Sequence, residues 1–196
     1  MTGKTPIAVL ISGRGSNLQC LIDACAREDY PARIVAVISN RPEALGLERA
    51  REAGIAAIAI DHKAYETRED FEAALDAALR EAGAEFVCLA GFMRILTEGF
   101  VNTWEGRMIN IHPSLLPKFK GVDTHARAIA AGESEHGCTV HWVTPGMDEG
   151  PVIAQARVPI LPGDTPETLA ARVLVEEHRL YPEALKSALR DQDRRR

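Results

Sequence analysis

The four cysteines of this chain, Cys20, Cys25, Cys88 and Cys138, form no CxxC pair, and Cys88 sits inside the apolar run Phe86 to Ala90. Such spacing reads as ordinary reduced thiols and points to a cytoplasmic protein. No hydrophobic run approaches a membrane span. The short apolar stretch after Lys4 and Pro6 leads straight into a glycine turn, so neither a signal peptide nor a membrane partner is expected. A formal net charge of −5 over 196 residues supplies no general basic field, which argues against nucleic-acid binding and requires any anionic ligand to be held locally. Internal repeats, linkers and low-complexity segments are missing as well. With 46% hydrophobic and 26% charged residues, the chain suits one globular domain, 1–196, with enough length for a sizeable core.

What is present is an alternation of short β-branched runs with amphipathic stretches. Ile7 to Ser12, Ile34 to Ser39, Ile55 to Ile60 and Phe86 to Ala90 read as strands, separated by helices over Asn17 to Arg27, Leu45 to Ala53 and Arg68 to Glu81. Gly54 and Gly83 close the second and third helices, and a short helix is expected near Glu98 to Trp104. The rhythm predicts an α/β fold, a Rossmann-like open twisted sheet that is mostly parallel. Gly137 to Val143 and Val152 to Val158 add two strands joined by a Gly/Pro-rich loop, which predicts an antiparallel C-terminal part. A final helix runs from about Pro166 to Arg190, and Asp191 to Arg196 reads as a solvated, frayed end.

Chemistry is suggested first by Asn110-Ile-His112-Pro-Ser-Leu-Leu-Pro117. In a strand Arg107 to His112 stopped by Pro113, Met108, Asn110 and His112 share one face while Ile109 and Ile111 take the other. A buried amide or imidazole without a partner costs about 1 to 3 kcal/mol, so each needs a partner or a ligand. A satisfied core histidine beside a backbone-bonded asparagine is the plain alternative.

The turn Ser12-Gly-Arg-Gly15-Ser16-Asn17 lies between a strand and a helix, where glycines and the first helical amides favour a phosphate, although an ordinary tight turn uses the same residues. There is no Walker lysine, and the second strand ends in Ser39-Asn40-Arg41 rather than an acid for an NAD ribose, so a single phosphomonoester fits better than ATP or NAD. Asp148 lies in the loop Thr144 to Pro151. It is either a turn-forming aspartate or, within about 4 to 6 Å of His112, a carboxylate that orients and charges the imidazole. His62, His125, His136, His141 and His178 show no metal-ligand spacing, although His125 and His141 could help shape a pocket.

Five stretches carry a resemblance over nearly the whole chain: Val9 to Asn17, Ala90 to Leu96, Asn110 to Pro117, Glu135 to Gly137, and Asp148 to Ile153. With them the chain resembles the phosphoribosylglycinamide formyltransferase family, folate-dependent enzymes of purine synthesis. The resemblance implies transfer of the formyl group of 10-formyltetrahydrofolate to the amine of glycinamide ribonucleotide, with Asn110, His112 and Asp148 as the catalytic trio and no metal required. It further implies that Gly15, Ser16 and Asn17 hold the substrate phosphate and Glu177 the ribose. Met93, Arg94, Ile95 and Leu96 would line the pterin pocket largely through backbone groups. Val143 and the loop Thr144 to Asp148 would close over it, and Arg68 would contact the folate further out.

On this reading about 1–100 form a phosphate-binding half and about 101–190 a catalytic and folate half. The partners are small molecules, with no nucleic acid and no membrane, in a monomer or homodimer. Two positions depart from the family pattern. Leu174 is apolar near the ribose, and Lys120 replaces a proline. The alternatives are a related folate formyltransferase or hydrolase core, which would carry an extra basic C-terminal or an N-terminal regulatory domain, and a non-catalytic nucleotide-binding module.

Overall fold

The computed structural model describes residues 3–195. Strand β1 (Thr5–Ile11) is followed by α1 (Ser16–Ala26), β2 (Ala32–Ser39), α2 (Leu45–Glu52) and β3 (Ala56–Ala59). A 3-10 turn (His62–Ala64), α3 (Arg68–Glu81), β4 (Phe86–Leu89) and α4 (Glu98–Thr103) lead to β5 (Met108–His112). Then come α5 (Thr124–Ala130), β6 (Glu135–Trp142), β7 (Val152–Pro159) and α6 (Pro166–Arg195). The strands form one seven-stranded sheet in the order β3-β2-β1-β4-β5-β6-β7. Pairing is parallel from β3 through β5 and antiparallel from β5 to β7, as the sequence pattern predicts.

The alternation of the central strands explains why helices cover both faces. Ile7, Val9 and Ile11 join Leu18, Leu21 and Leu185 on one side, while Ala8 and Leu10 join Phe71, Leu75 and Trp104 on the other. These five residues of β1 are fully buried, each of the larger ones contributing about 1.5 to 3 kcal/mol by leaving water. In β5 the same alternation sends Ile109 and Ile111 to the first cluster and Met108 to the second.

Three local expectations change. Helix α5 was not expected, because only Thr124 and Ala128 of its residues are buried and one i, i+4 pair is too short a pattern to read as periodic. Residues 191–195, expected to fray, continue α6, since neither glycine nor proline follows Arg190 to stop it; Arg196 lies outside the described residues. Helix α1 begins at Ser16 rather than Asn17, after Gly15 takes φ 72°.

Gly137 shows how tightly β6 is gripped. A Cβ there would lie 1.9 Å from the Ala156 carbonyl oxygen and 2.8 Å from Leu115 Cδ2. Backbone in a paired strand cannot step aside, so Gly137→Ala is expected to cost about 2 to 3 kcal/mol, the upper range for overpacking. A lowered urea midpoint with an unchanged slope would register this loss.

Candidate functional site

A parallel sheet packed on both faces leaves polar groups room mainly beyond the carboxyl ends of its strands, above all where the strand order reverses. Here the reversal lies between β1 and β4, and β5 is the next strand. Asn110 and His112 are the third and fifth residues of β5, on the Met108 side and at that edge. His112 is buried and its Nε2 lies 2.9 Å from the Phe119 carbonyl oxygen. A carbonyl only accepts, so Nε2 carries the hydrogen. Nδ1 then faces Asp148 Oδ2 at 3.4 Å, an approach that becomes attractive when Nδ1 is protonated too. The distance brings the sequence-predicted partners together across 36 residues of chain.

Asp148 has φ 53°, a left-handed conformation that aspartate tolerates better than most residues. The Gly121 amide donates to its Oδ2 at 2.9 Å, and His141 Nε2 lies 3.7 Å from its Oδ1. Burial works to raise the carboxyl pKa, but the facing His141, the Gly121 amide and the charge of His112 outweigh it, holding the group below the usual carboxylate range. His141 sits opposite Asn110 in the β5–β6 ladder. Its Nδ1 lies 2.9 Å from the Trp142 carbonyl oxygen and so donates, while its Nε2 lies 3.2 Å from the Asn110 side-chain nitrogen and faces the Asp148 carboxylate. His112 Nε2 thus ends on a backbone carbonyl, and the Asn110 side chain meets His141.

Behind this group, the rings of His125 and His136 meet edge to face 5.1 Å apart, and Phe119 packs on His136. Burial pushes His136 down to about 4 and lowers His125, so neither is a competing cation at neutral pH. His125 thus stands behind His112, while His141 lies against both Asn110 and Asp148. The Phe119 carbonyl and Gly121 amide are contributions that side-chain motifs cannot announce. The register of β6 against β5 was the signal that could have placed His141.

The glycine turn is built by close approach. A Cβ on Gly15 would lie 2.7 Å from the Gly46 Cα, so α2 presses directly on the turn. Arg49 of α2 donates from Nε to the Arg14 carbonyl at 2.9 Å and from Nη1 to Gln19 at 3.2 Å. Helix α1 has no side-chain cap and no acid in its first turn, which leaves its leading amides open to an anion.

Asn17 of this turn donates to Glu177 of α6 at 3.3 Å, across 160 residues. Asn17 Oδ1 is buried with no hydrogen-bond partner among the described residues. Burial pushes Glu177 up to about 7, opposed by the Asn17 bond. Leu174 lies half-buried one turn earlier.

Met93 and Ile95 are each 60% exposed in the loop after β4, with Arg94 half-buried and Leu96 buried between α3 and α4 residues. Val143 and Thr144 are half-buried at the end of β6, and the Val143 amide donates to the Met108 carbonyl at 3.0 Å. Arg68 opens α3 with an exposed side chain; among the described residues no hydrogen bond or ion pair joins it to the trio. Lys120, where a proline was expected, pairs with Glu149 at 2.9 Å and ties the segment after Pro117 to the loop of Asp148.

The profile of the formyl transferase family matches residues 5–185. A phosphoribosylglycinamide formyltransferase of Escherichia coli (strain K12) is 49% identical over 176 residues, covering 90% of this chain and 83% of that protein. A trifunctional purine biosynthetic protein of Drosophila pseudoobscura pseudoobscura is 55% identical over 181 residues, but this chain spans only 13% of its length. Among solved structures, the phosphoribosylglycinamide formyltransferase from Brucella melitensis superposes with TM-score 0.90 at 52% identity, over 93% of this chain and 94% of that one. Glycinamide ribonucleotide transformylase 1 from Symbiobacterium toebii gives 0.92 at 49% identity, over 95% and 88%. With the matched span enclosing the glycine turn, the β5 pair, Asp148 and Glu177, the chain belongs to the formyl transferase family.

Proposed function

We infer that this protein transfers the formyl group of 10-formyltetrahydrofolate to the amine of glycinamide ribonucleotide in purine biosynthesis. The observation that carries the reading is the convergence of Asn110, His112 and Asp148 at the open end of the sheet, with His112 Nδ1 3.4 Å from Asp148 Oδ2. The relatives described above share the fold and bear names that fit it. The protein works among small molecules in the cytoplasm.

In the proposed reaction the substrate amine attacks the formyl carbon directly. A new C–N bond forms, the carbonyl becomes a tetrahedral oxyanion, and the bond from the formyl carbon to the folate nitrogen then breaks as a proton passes from the amine to that nitrogen. No nucleophilic side chain is needed. The Asn110 amide, and the His112 imidazolium by exchanging the Phe119 carbonyl for the substrate oxygen, would donate to the oxyanion. Losing one such donor costs about 2.7 to 4 kcal/mol. Asp148 would stay ionised at neutral pH, which suits an orienting charge better than a strong base. The phosphate would sit on the amides of Gly15, Ser16 and Asn17, with Glu177 on the ribose. Backbone of Met93, Arg94, Ile95 and Leu96 would face the pterin, with Val143 and Thr144 beside it and Arg68 further out.

The direct experiment mixes purified protein, glycinamide ribonucleotide and 10-formyltetrahydrofolate and follows tetrahydrofolate release. Wild type should turn over, and His112→Ala should lower kcat by about 100- to 1000-fold. A folded wild type without turnover would refute the function.

Asp148→Asn should lower kcat by a similar factor while ribonucleotide affinity, measured calorimetrically, stays within about threefold; equal loss of both would make Asp148 structural. Because its folded pKa is depressed, Asp148 stabilises the protein above the ordinary carboxylate value and that contribution fades as pH falls through the folded one. The Asn variant should therefore lose part of the wild type's steepening instability in acid.

Glu177 works with the opposite sign. Its pKa of about 7 against an ordinary 4.5 means that its contribution is fully present below 4.5 and is lost as pH rises through about 7. Glu177→Gln should raise the Tm of the free protein at pH 8 more than at pH 5, yet weaken ribonucleotide binding about tenfold. Unchanged binding would remove Glu177 from the site.

A further inference from the structure

The polar residues that close the first four parallel strands form one hydrogen-bonded row that includes none of the trio and none of Gly15, Ser16 and Asn17, although Ser12 begins the glycine turn. In the spatial order β3-β2-β1-β4, His62 follows β3, Asn40 follows β2, Ser12 follows β1, and Met93 lies in the loop after β4. His62 Nδ1 lies 3.0 Å from the Asn40 carbonyl oxygen and 3.2 Å from its side-chain amide. The Ser12 hydroxyl donates to Asn40 Oδ1 and accepts the Met93 amide hydrogen at 2.8 Å. Ser12 is 4% and Asn40 1% exposed, so water cannot readily replace these partners. Ser39 holds the bend between them, its hydroxyl bonded to both the amide and the carbonyl of Arg41. At the other end of the loop, the buried carboxylate of Glu72 accepts from the Thr97 amide at 2.7 Å and from the Thr97 hydroxyl. Buried side chains from other elements thus pin both ends of a segment whose Met93 and Ile95 are exposed.

We propose that the row His62–Asn40–Ser12 is a positioning device for the formyl donor: it fixes the backbone of the 93–96 loop against which the reduced pterin ring binds. The proposal rests on the folate reading above. Recognition through backbone groups cannot be tuned by the loop's own side chains, so the placement of those groups falls to whatever holds the first amide. Here that is Ser12, itself held by Asn40, with His62 at the end of the row. None of the three is required to touch substrate.

Steady-state kinetics with both substrates, run on Ser12→Ala, Asn40→Ala and His62→Ala, test the row. The KM for 10-formyltetrahydrofolate should rise about tenfold in the first two, the loss of one buried hydrogen bond. In His62→Ala, which keeps the Ser12–Asn40 bond, the rise should be about two- to threefold. kcat and the KM for the ribonucleotide should stay within about twofold in all three. Hydrogen exchange at the Met93 amide of the free protein should accelerate about tenfold in Ser12→Ala, a readout independent of turnover. Wild-type turnover with an unchanged donor KM and unchanged Met93 exchange in Ser12→Ala sinks the row alone. Equal rises in both KM values sink it as well, because they mark general damage. A folded wild type without formyl transfer sinks the underlying function instead. Should Ser12→Ala fail to fold, the donor KM of His62→Ala, at the half-buried end of the row, decides the matter in the same way.

Discussion

Burial of the parallel sheet on both faces is the constraint from which the rest follows. Once Ile7, Val9 and Ile11 are committed to one helical layer and Ala8 and Leu10 to the other, a polar side chain within the central strands would face hydrocarbon. Only the strand ends escape. Polar groups accordingly gather there in sheet order: His62, Asn40 and Ser12 beyond β3, β2 and β1, then Asn110 and His112 on β5. The glycine turn follows β1 at the same edge.

The second layer of organisation is electrostatic. His112 is held between a carbonyl at Nε2 and a carboxylate at Nδ1, an arrangement that suits a cation. Asp148 can be that carboxylate because His141 and the Gly121 amide keep it ionised despite burial. The histidines behind the site are driven towards the neutral form by burial. Asp148 holds a left-handed conformation in doing so, and such a residue costs of order 1 to 3 kcal/mol unless its surroundings enforce it. The Gly121 bond and the Lys120–Glu149 pair supply part of that enforcement. Glu177 is the counterexample: a buried carboxyl bonded to the Asn17 amide, less stable ionised than in water.

Much of the fold was legible because its signals are local. The spacing of Phe71, Leu75 and Leu79 marks α3, Thr67 caps it by accepting from the Asp70 amide, and the alternation in β1 and β5 assigns faces without reference to any neighbour. Helix α5 was missed for the converse reason, since two buried residues do not make a period. In the site, Asn110, His112 and the glycine turn stood out as polar or flexible residues at strand ends. His141 did not, because its role comes from lying opposite Asn110 in an antiparallel ladder with a register shift at Val140/His141. In the sequence Ser12 only opens the glycine turn and Asn40 only ends the second strand; the bonds from Ser12 to Asn40 and from the Met93 amide to Ser12 span 28 and 81 positions, too far for a local pattern to show.

The sequence by itself determined the fold class, the faces of the strands, the placing of the NxH pair at a strand end and the family. Periodicity, turn chemistry and short motifs are properties of neighbouring residues, and physics acts on them before any long-range contact forms. Only the tertiary structure decided that Asp148 reaches His112, that Asn17 meets Glu177, and that Ser12 holds the Met93 amide. Those distances depend on strand order, ladder register and backbone atoms that every residue carries alike, and no side-chain pattern along the chain encodes them locally.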